Sequence, residues 1–243
     1  MEFVQLYWKR NRGWPWPEDS WGLGSMFGDD GWCPSCGVPR RPQTGPLTLQ
    51  RKGLVPLHGA WMPNWQFDVI CLEGSVAAGI SDRFNVDLRE IAWHGASPGE
   101  ALQFVAPSVG ADWFDPDELR RRAIERHGTA GASCPECGIW RWMPLSFEQL
   151  PPVRIDPEWA HHDVIASPEW FGDGHQAFRQ VLVRRELAEL IAASSPKDLT
   201  TGKWTSTERS STKELRRRTK SVELTAAAPG SRNGHSDERC SDH

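Results

Sequence analysis

Long apolar runs are missing from this sequence of 243 residues. No stretch approaches the roughly 20 consecutive apolar residues that a membrane-spanning helix requires, so we expect no membrane association through such a helix. The first residues also lack the basic stretch followed by an apolar segment that is typical of a secretory signal peptide. Cysteine pairs without an export signal favour a reducing compartment, and we therefore expect a cytoplasmic protein.

An excess of basic charge is also absent. The chain holds 28 Lys and Arg against 32 Asp and Glu, a net charge of −4. The basic residues are concentrated near the end, because the part before Lys197 holds 18 Lys and Arg against 25 Asp and Glu, a net charge of −7. Nucleic-acid binding requires clustered basic side chains that neutralise phosphates. A dominant nucleic-acid contact is therefore not expected.

Recognisable catalytic motifs are lacking as well. The sequence contains neither a P-loop nor a His-Glu-x-x-His motif. Residues 95–99 match the G-x-S-x-G pattern of a nucleophile elbow, but Pro98 follows Ser97 and has no N–H to serve as an oxyanion donor. His161, His162 and Asp163 are better explained as residues that close a loop. We predict no catalytic residues and a non-enzymatic protein, and we keep an enzyme with an unrecognised site as an alternative.

Tyrosine is almost absent, with one Tyr against 14 Trp. Most of these rings are expected to fill an irregular core. The cluster of Trp14, Trp16 and Trp21 lies among Pro and Gly residues and is the expected exception, because rings in such loops often stay exposed and serve as binding anchors.

Two copies of a Cys-Pro-x-Cys-Gly motif stand out among the residues that are present. They place Cys33 and Cys36 before Gly37, and Cys134 and Cys137 before Gly138. Four thiols in two pairs of this spacing are typical of a tetrahedral zinc site. The pairs enclose 97 residues, far more than the loop of an ordinary zinc ribbon. We predict that these four cysteines bind one structural Zn ion that joins distant parts of one fold.

Two other interpretations of the motifs stay open. A redox Cys-x-x-Cys lies at the start of a helix, but Pro39 and Pro42 follow the first pair and β-favouring residues follow the second. Separate metal sites could instead be completed by histidine, and the candidates are His58, His94 and His127. Cys71 is expected to be a buried core residue, and Cys240 lies in the polar tail and is not a candidate ligand.

The apolar pattern predicts an α+β fold, with a mixed sheet, few helices and zinc-ribbon-like knuckles joined across a long insertion. Asp115, Pro116 and Gly128 predict the clearest helix, as N-cap, first helical residue and C-terminal stop. A further helix is predicted over 185–193. The predicted strands cover residues 1–10, 47–49, 65–71, 139–143, 164–166 and 180–183.

The predicted domain organisation has two parts. Residues 1–194 should form a single zinc-stabilised α+β domain, and two related halves, about 1–95 and 96–194, are a weaker hypothesis based on a faint internal similarity. Residues 195–243 are rich in Ser, Thr, Lys, Arg and Gly and poor in large apolar residues, so we predict a disordered tail.

The paired motifs, the N-terminal strand and the segment 181–187 resemble the double-CxxCG-motif family, found as multiple paralogues in myxobacteria. The resemblance implies zinc binding by Cys33, Cys36, Cys134 and Cys137. It also implies an immunity protein that neutralises a cognate toxin as its protein partner. An acidic protein without an active site is consistent with that role, and the alternative is a nucleic-acid-associated zinc-ribbon protein.

Overall fold

The computed structural model describes residues 2–9, 15–18, 20–50, 58–95, 97, 99–203 and 206–208. The strands are β1 (Phe3–Trp8), β2 (Trp16–Pro17), β3 (Leu47–Gln50), β4 (Ala60–Trp61), β5 (Cys71–Glu73), β6 (Leu88–His94), β7 (Ala101–Phe104), β8 (Gly131–Ser133), β9 (Trp140–Trp142), β10 (Val153–Ile155), β11 (Val164–Ala166), β12 (Trp170–Phe171), β13 (Val181–Arg184), β14 (Leu199–Lys203) and β15 (Ser206–Glu208). The α-helices are α1 (Leu23–Phe27), α2 (Gly74–Ser81), α3 (Pro116–His127) and α4 (Arg185–Ser194). The predicted α+β class is confirmed.

The largest sheet has six strands in the order β2-β3-β6-β7-β5-β4. It is mixed, because β3 and β6 pair in parallel whereas the other neighbours are antiparallel. The proposed boundary between residues 95 and 96 falls between β6 and β7, which are hydrogen bonded to each other in this sheet. The two related halves therefore stay a hypothesis about the sequence, and they do not correspond to separate sheets.

A second sheet is antiparallel and has the order β11-β13-β1-β14. Its strand β1 joins the start of the chain to the last strands, and its alternating pattern buries Val4 and Leu6. The edge strand β14 begins at Leu199, beyond the predicted start of the tail at residue 195. Sequence reasoning missed it because Leu199 is its one large apolar residue. At Gly202 the ring of Tyr7 lies so close that a Cβ would be 1.9 Å from it.

Two smaller sheets complete the described fold. In the three-stranded sheet β12-β9-β8, the β8–β9 pair is antiparallel and carries the second cysteine motif at its turn. Strands β10 and β15 form a parallel pair. The described residues form one compact unit. The remainder of the predicted tail, 209–243, lies outside the described residues.

Helix α3 begins and ends where the sequence predicts. The Asp115 side chain accepts hydrogen bonds from the N–H groups of Asp117 and Glu118, at 3.1 and 3.0 Å. Gly128 closes the helix in a left-handed conformation with φ of 76°. Leu119 is buried in a core that it shares with other elements around it, so α3 is held by its apolar face as well as by its caps.

The apolar residues form two main cores. One joins the six-stranded and the antiparallel four-stranded sheets through buried residues such as Leu47, Leu72 and Val183, and it includes Leu187 and Ile191 of α4. The other surrounds α3 and contains Trp113, Phe114, Trp159 and Phe171. A small third cluster holds the cysteines.

The strand predicted over residues 65–71 was wrong for most of its length. The strand begins only at Cys71, and Trp65 has φ of 65°. Such a left-handed conformation is incompatible with an extended strand. Residues 65–70 therefore form an irregular loop, although Val69 and Ile70 are buried as a strand would bury them.

Of the twelve described tryptophans, four are buried, namely Trp61, Trp113, Trp142 and Trp159. Four more are half-buried and pack against the buried clusters, namely Trp8, Trp32, Trp93 and Trp170. Most of the described tryptophans therefore belong to the core or border it, as expected. The tryptophans that are most exposed are not those of the expected cluster, Trp14, Trp16 and Trp21. Trp16 and Trp21 are only half-buried, and Trp14 lies outside the described residues. The most exposed tryptophans in the described residues are Trp65 and Trp140, at 50% and 37%.

Among the described residues, no helix combines the length and the apolar character needed to cross a membrane.

Candidate metal centre

The first cysteine motif forms a tight turn closed by its own backbone. The N–H of Cys33 donates to the carbonyl of Val38 at 2.9 Å, and the N–H of Gly37 donates to the carbonyl of Cys33 at 2.7 Å. Gly37 has φ of 74°, a conformation that glycine adopts without steric cost. A Cβ at this position would also lie 2.6 Å from the carbonyl oxygen of His175. Glycine is therefore required here both by the turn and by the neighbouring loop.

The second motif repeats this turn at the tip of the β8–β9 hairpin. The N–H of Cys134 donates to the carbonyl of Ile139 at 2.9 Å, and the N–H of Gly138 donates to the carbonyl of Cys134 at 2.9 Å. Gly138 also has φ of 74°. The two motifs are thus the same local structure built twice, and each turn directs both of its thiols to the same side.

The four sulfur atoms meet in one cluster. The Sγ atoms of Cys33 and Cys134 are 3.7 Å apart, and those of Cys36 and Cys137 are 3.6 Å apart. All four Sγ atoms lie within 4.8 Å of one another. A tetrahedral ion with metal–sulfur bonds of about 2.3 Å places its sulfurs about 3.8 Å apart. A disulfide would need about 2.0 Å, so the distances fit a metal ion and not a covalent bond.

The cluster is largely shielded from water. Cys33 and Cys36 are fully buried, Cys134 is 2% exposed and Cys137 is half-buried. Val38 is also buried within this cluster, and Trp170 and Ala177 pack against it. Four protein ligands complete a tetrahedral shell and leave no coordination position for a substrate. The arrangement is therefore suited to a structural ion and not to metal-ion catalysis.

The middle residues of the two motifs, Ser35 and Glu136, are also in contact. Ser35 Oγ donates to Glu136 Oε2 at 2.7 Å, and Arg40 Nη2 contacts Glu136 Oε1 at 2.8 Å. Hydrogen bonds from Ser35 and then from Arg40 lower the pKa of the Glu136 carboxyl. Sequence reasoning missed this bridge, and its one available signal was a polar residue at the same motif position in both copies.

The thiols differ in how readily they ionise without a metal. Backbone N–H groups of Cys137 and Glu136 lower the pKa of Cys134 to about 6. Burial raises the pKa of Cys36 and of Cys137. Four thiolates so close together repel each other strongly, because the interior screens charge poorly. A divalent cation would compensate that charge, and binding such an ion would release protons from the thiols.

The rival interpretations of the motifs find no support in the described residues. The segment after Cys36 is irregular, and β9 follows Cys137, so neither motif lies at the start of a helix. The histidines considered as substitute ligands lie elsewhere, with His58 near Glu73 (3.8 Å), His94 near Glu18 (2.6 Å) and His127 near the Pro144 carbonyl (2.7 Å). The described part of the chain contains no second group of metal-ligating residues.

The remaining cysteines are not part of the cluster. Cys71 is fully buried in β5, where burial raises the pKa of its thiol, as expected of a core residue. Cys240 lies outside the described residues.

Residues 161–163 close a loop rather than form a reactive site. Asp163 Oδ2 accepts a hydrogen bond from the Asn85 N–H at 2.7 Å, and Asn85 Nδ2 donates to the His161 carbonyl at 2.9 Å. Asp163 also forms an ion pair with Arg184 at 2.5 Å. These contacts pair the carboxylate with Arg184 and attach the loop to the segment that follows α2.

Comparisons of the chain with protein-family models, with curated proteins and with solved structures found no match.

Proposed function

We propose that Cys33, Cys36, Cys134 and Cys137 bind one Zn ion with a structural role. The observation that carries this proposal is the set of four sulfurs within 4.8 Å, on two matching turns. An ion at this position would connect residues that are 101 positions apart in the chain. Closing so long a loop costs conformational entropy, and metal binding to the folded chain offsets that cost.

We further propose that the protein acts by binding another protein, as an immunity protein that neutralises a toxin by occupying it. The resemblance of the paired motifs to the double-CxxCG family supports this function. A net charge of −7 before Lys197 also supports it, since an acidic protein associates rapidly with a basic partner such as a nuclease toxin.

An exposed aromatic surface offers a place for such a partner. Trp65 and Phe67 are 50% and 37% exposed, and both line a cleft of about 430 Å³ together with Tyr7, Trp8 and Phe178. The ring of Trp65 lies 6.0 Å from that of Trp21, and both residues have positive φ. A positive φ is costly for a residue as large as tryptophan, and such strained residues are concentrated at functional sites. Trp21 and Trp65, with the Trp65 ring half exposed, are therefore candidates for a binding site.

Elemental analysis of the chain purified under reducing conditions tests the proposal that it binds zinc. We expect one zinc per chain. Folded, reduced protein without metal would contradict the zinc proposal while leaving the partner proposal open.

The immunity function is tested by co-expressing the chain with the products of neighbouring genes and scoring rescue of growth. We expect rescue from one of them and a stoichiometric complex with it. The Trp65→Ala variant should lose rescue, whereas Trp140→Ala, an exposed tryptophan away from the cleft, should keep it. No rescue from any neighbouring product would contradict the immunity role. Salt-sensitive DNA or RNA binding by the purified chain would instead favour the nucleic-acid alternative.

A further inference from the structure

A second cavity lies where the three larger sheets meet, beside the first cysteine motif. Its volume is about 510 Å³. Strand β7 lines it with Gln103, β11 with Ala166, β12 with Trp170 and β13 with Val181. Pockets of this size in proteins commonly hold small organic molecules.

Most of the cavity wall is apolar. The apolar lining comes mainly from Leu23, Met26, Phe27, Val69, Phe104 and Val105. The exposed residues Arg41 and Pro42 also line it, so the cavity reaches the surface at that side. An apolar wall with a few polar groups is typical of a site that encloses a ligand's body and orients it through one or two hydrogen bonds.

One of the polar groups is an amide with an unused acceptor. Gln103 is 2% exposed, and its Nε2 donates to Gln43 Oε1 at 2.9 Å. Its Oε1 atom is buried and has no hydrogen-bond partner in the described part of the chain. A buried acceptor without a donor is costly, and a ligand that carries an N–H or O–H would remove that cost.

The second polar group is a cation held in place by a ring. The guanidinium of Arg179 lies 4.2 Å from the centroid of the Trp170 ring. Its Nε is buried without a hydrogen-bond partner, and no carboxylate of the described residues lies within ion-pair distance of it. The stacked ring fixes the plane of the guanidinium, so its remaining donors are pre-organised for a planar anion.

The acidic residue that interacts with Arg179 is Asp68, which also lines the cavity. The carboxylate of Asp68 accepts a hydrogen bond from the Arg179 backbone N–H at 3.0 Å, and burial raises the pKa of Asp68 to about 6. Burial also lowers the pKa of Arg179. Of the other two arginines that line the cavity, Arg40 is paired with Glu136 and Arg41 is exposed. Asp68 contacts the backbone of Arg179 and forms no ion pair with its guanidinium, so an anionic ligand would supply the direct contact that the buried Nε lacks.

We propose that this cavity binds a small organic acid with an apolar body, whose carboxylate contacts Arg179 and whose hydrogen-bond donor contacts Gln103. The site borders the cysteine cluster, against which Trp170 packs, and shares no lining residue with the aromatic cleft at Trp65. Binding of such an acid does not depend on the proposed protein partner. The ligand proposal and the immunity proposal therefore succeed or fail independently.

The test uses three matched probes with the full, zinc-loaded chain in isothermal titration calorimetry. Indole-3-acetate carries an apolar ring, a donor and a carboxylate, indole-3-acetamide lacks the charge, and naphthalene-1-acetate lacks the donor. We expect one site for indole-3-acetate with a Kd of about 1 mM or lower. Each of the other probes should bind about tenfold more weakly, because each loses one hydrogen bond to a buried group.

Variants separate the two contacts. Arg179→Gln should weaken indole-3-acetate about tenfold and leave indole-3-acetamide unchanged. Gln103→Leu should weaken indole-3-acetate and leave naphthalene-1-acetate unchanged. The control is Arg83→Gln, since the Arg83 guanidinium also lies over a ring, that of Phe84 at 5.3 Å, but outside the cavity. Melting temperature and zinc content are measured for every variant, so that loss of fold is distinguished from loss of binding.

Three results would overturn the proposal. One is the absence of saturable binding of indole-3-acetate to the folded chain. Another is equal affinity for the acid and its amide, which would show that the charge of Arg179 is not used. The third is unchanged affinity in both cavity variants, which would place the ligand elsewhere.

Discussion

Ser35 and Glu136, the variable residues of the two Cys-Pro-x-Cys-Gly motifs, are hydrogen bonded to each other at 2.7 Å. They are 101 positions apart, as are the two sulfur pairs at 3.7 and 3.6 Å. Equivalent positions of the two motifs therefore face each other throughout. Arg40 adds a further contact to the same carboxylate. The bridge connects the two turns through exposed residues and limits how far the turns can separate.

Removing this bridge should speed metal release without preventing metal binding. We expect Glu136→Ala to keep one zinc per chain and to transfer it faster to a competing chelator, because the turns then separate more easily. The melting temperature should change little, since exposed ion pairs contribute weakly. Glu125→Ala removes an exposed ion pair with Arg121 on α3 and is the control, for which the release rate should not change.

Removing a cysteine of the cluster should have a much larger effect. We expect Cys33→Ser and Cys134→Ser each to lose stoichiometric zinc and to lower the melting temperature strongly, because three thiols no longer complete the shell. Cys71→Ala is the control, since this buried residue lies outside the cluster. It should cost some stability through a small cavity and should keep its zinc. A Cys33→Ser variant that keeps its full zinc content and its melting temperature would show that Cys33 is not a zinc ligand.

Ionisation of the Asp68 carboxyl should lower the free energy of unfolding as the pH rises from 5 to 7. Its pKa is raised from 3.8 to about 6 by burial, so the folded state holds a proton that the unfolded chain has already lost. Stability is therefore lost as the carboxyl ionises in the folded state. We expect Asp68→Asn to be more stable than the wild type, by a margin that grows by about 1 kcal/mol between pH 5 and pH 7 in urea titrations.

The control for Asp68→Asn is Asp173→Asn, an exposed residue on the neighbouring loop. Its free energy of unfolding relative to the wild type is measured over the same pH range. A constant difference between Asp68→Asn and the wild type across the range would show that Asp68 ionises normally in the folded protein.

The N-cap of α3 should contribute measurably to stability. Asp115→Ala removes the acceptor for two backbone N–H groups and an ion pair with Arg154, and we expect a loss of about 1 to 2 kcal/mol. Chemical denaturation measures this loss. Asp117→Ala, in the same first turn but not the cap, should cost only a few tenths of a kcal/mol. Equal losses for the two variants would contradict the capping role.

The C-terminal strands should matter more than the tail composition suggests. A chain ending at Ser195 lacks β14, which pairs with five residues of β1 and buries Leu199. We expect its melting temperature to fall well below that of a chain ending at Glu208. Equal melting temperatures of the two truncated chains would mean that β14 contributes little to the fold.

Local sequence signals predicted the elements that need few distant contacts. Asp115, Pro116 and Gly128 predicted α3 because capping and helix termination depend on neighbouring residues. The two glycines after the cysteine pairs adopt the same left-handed conformation in the matching turns, which is likewise a local property. Strand β1 followed from its apolar alternation. The order of the strands in their sheets could not be predicted, because pairing depends on residues far apart in the chain.

The sequence by itself determined that two identical thiol-bearing turns exist and that α+β elements surround them, since spacing, turn residues and apolar periodicity are local properties. The two motifs also predicted that the four thiols share one ion, and the tertiary structure supplies the sulfur positions. Only the tertiary structure decided that Ser35 contacts Glu136 and that Arg179 and Gln103 share one cavity. It also decided that β14 joins the sheet although a single apolar residue anchors it. Each of these depends on distances between residues remote in sequence, which packing and strand pairing set.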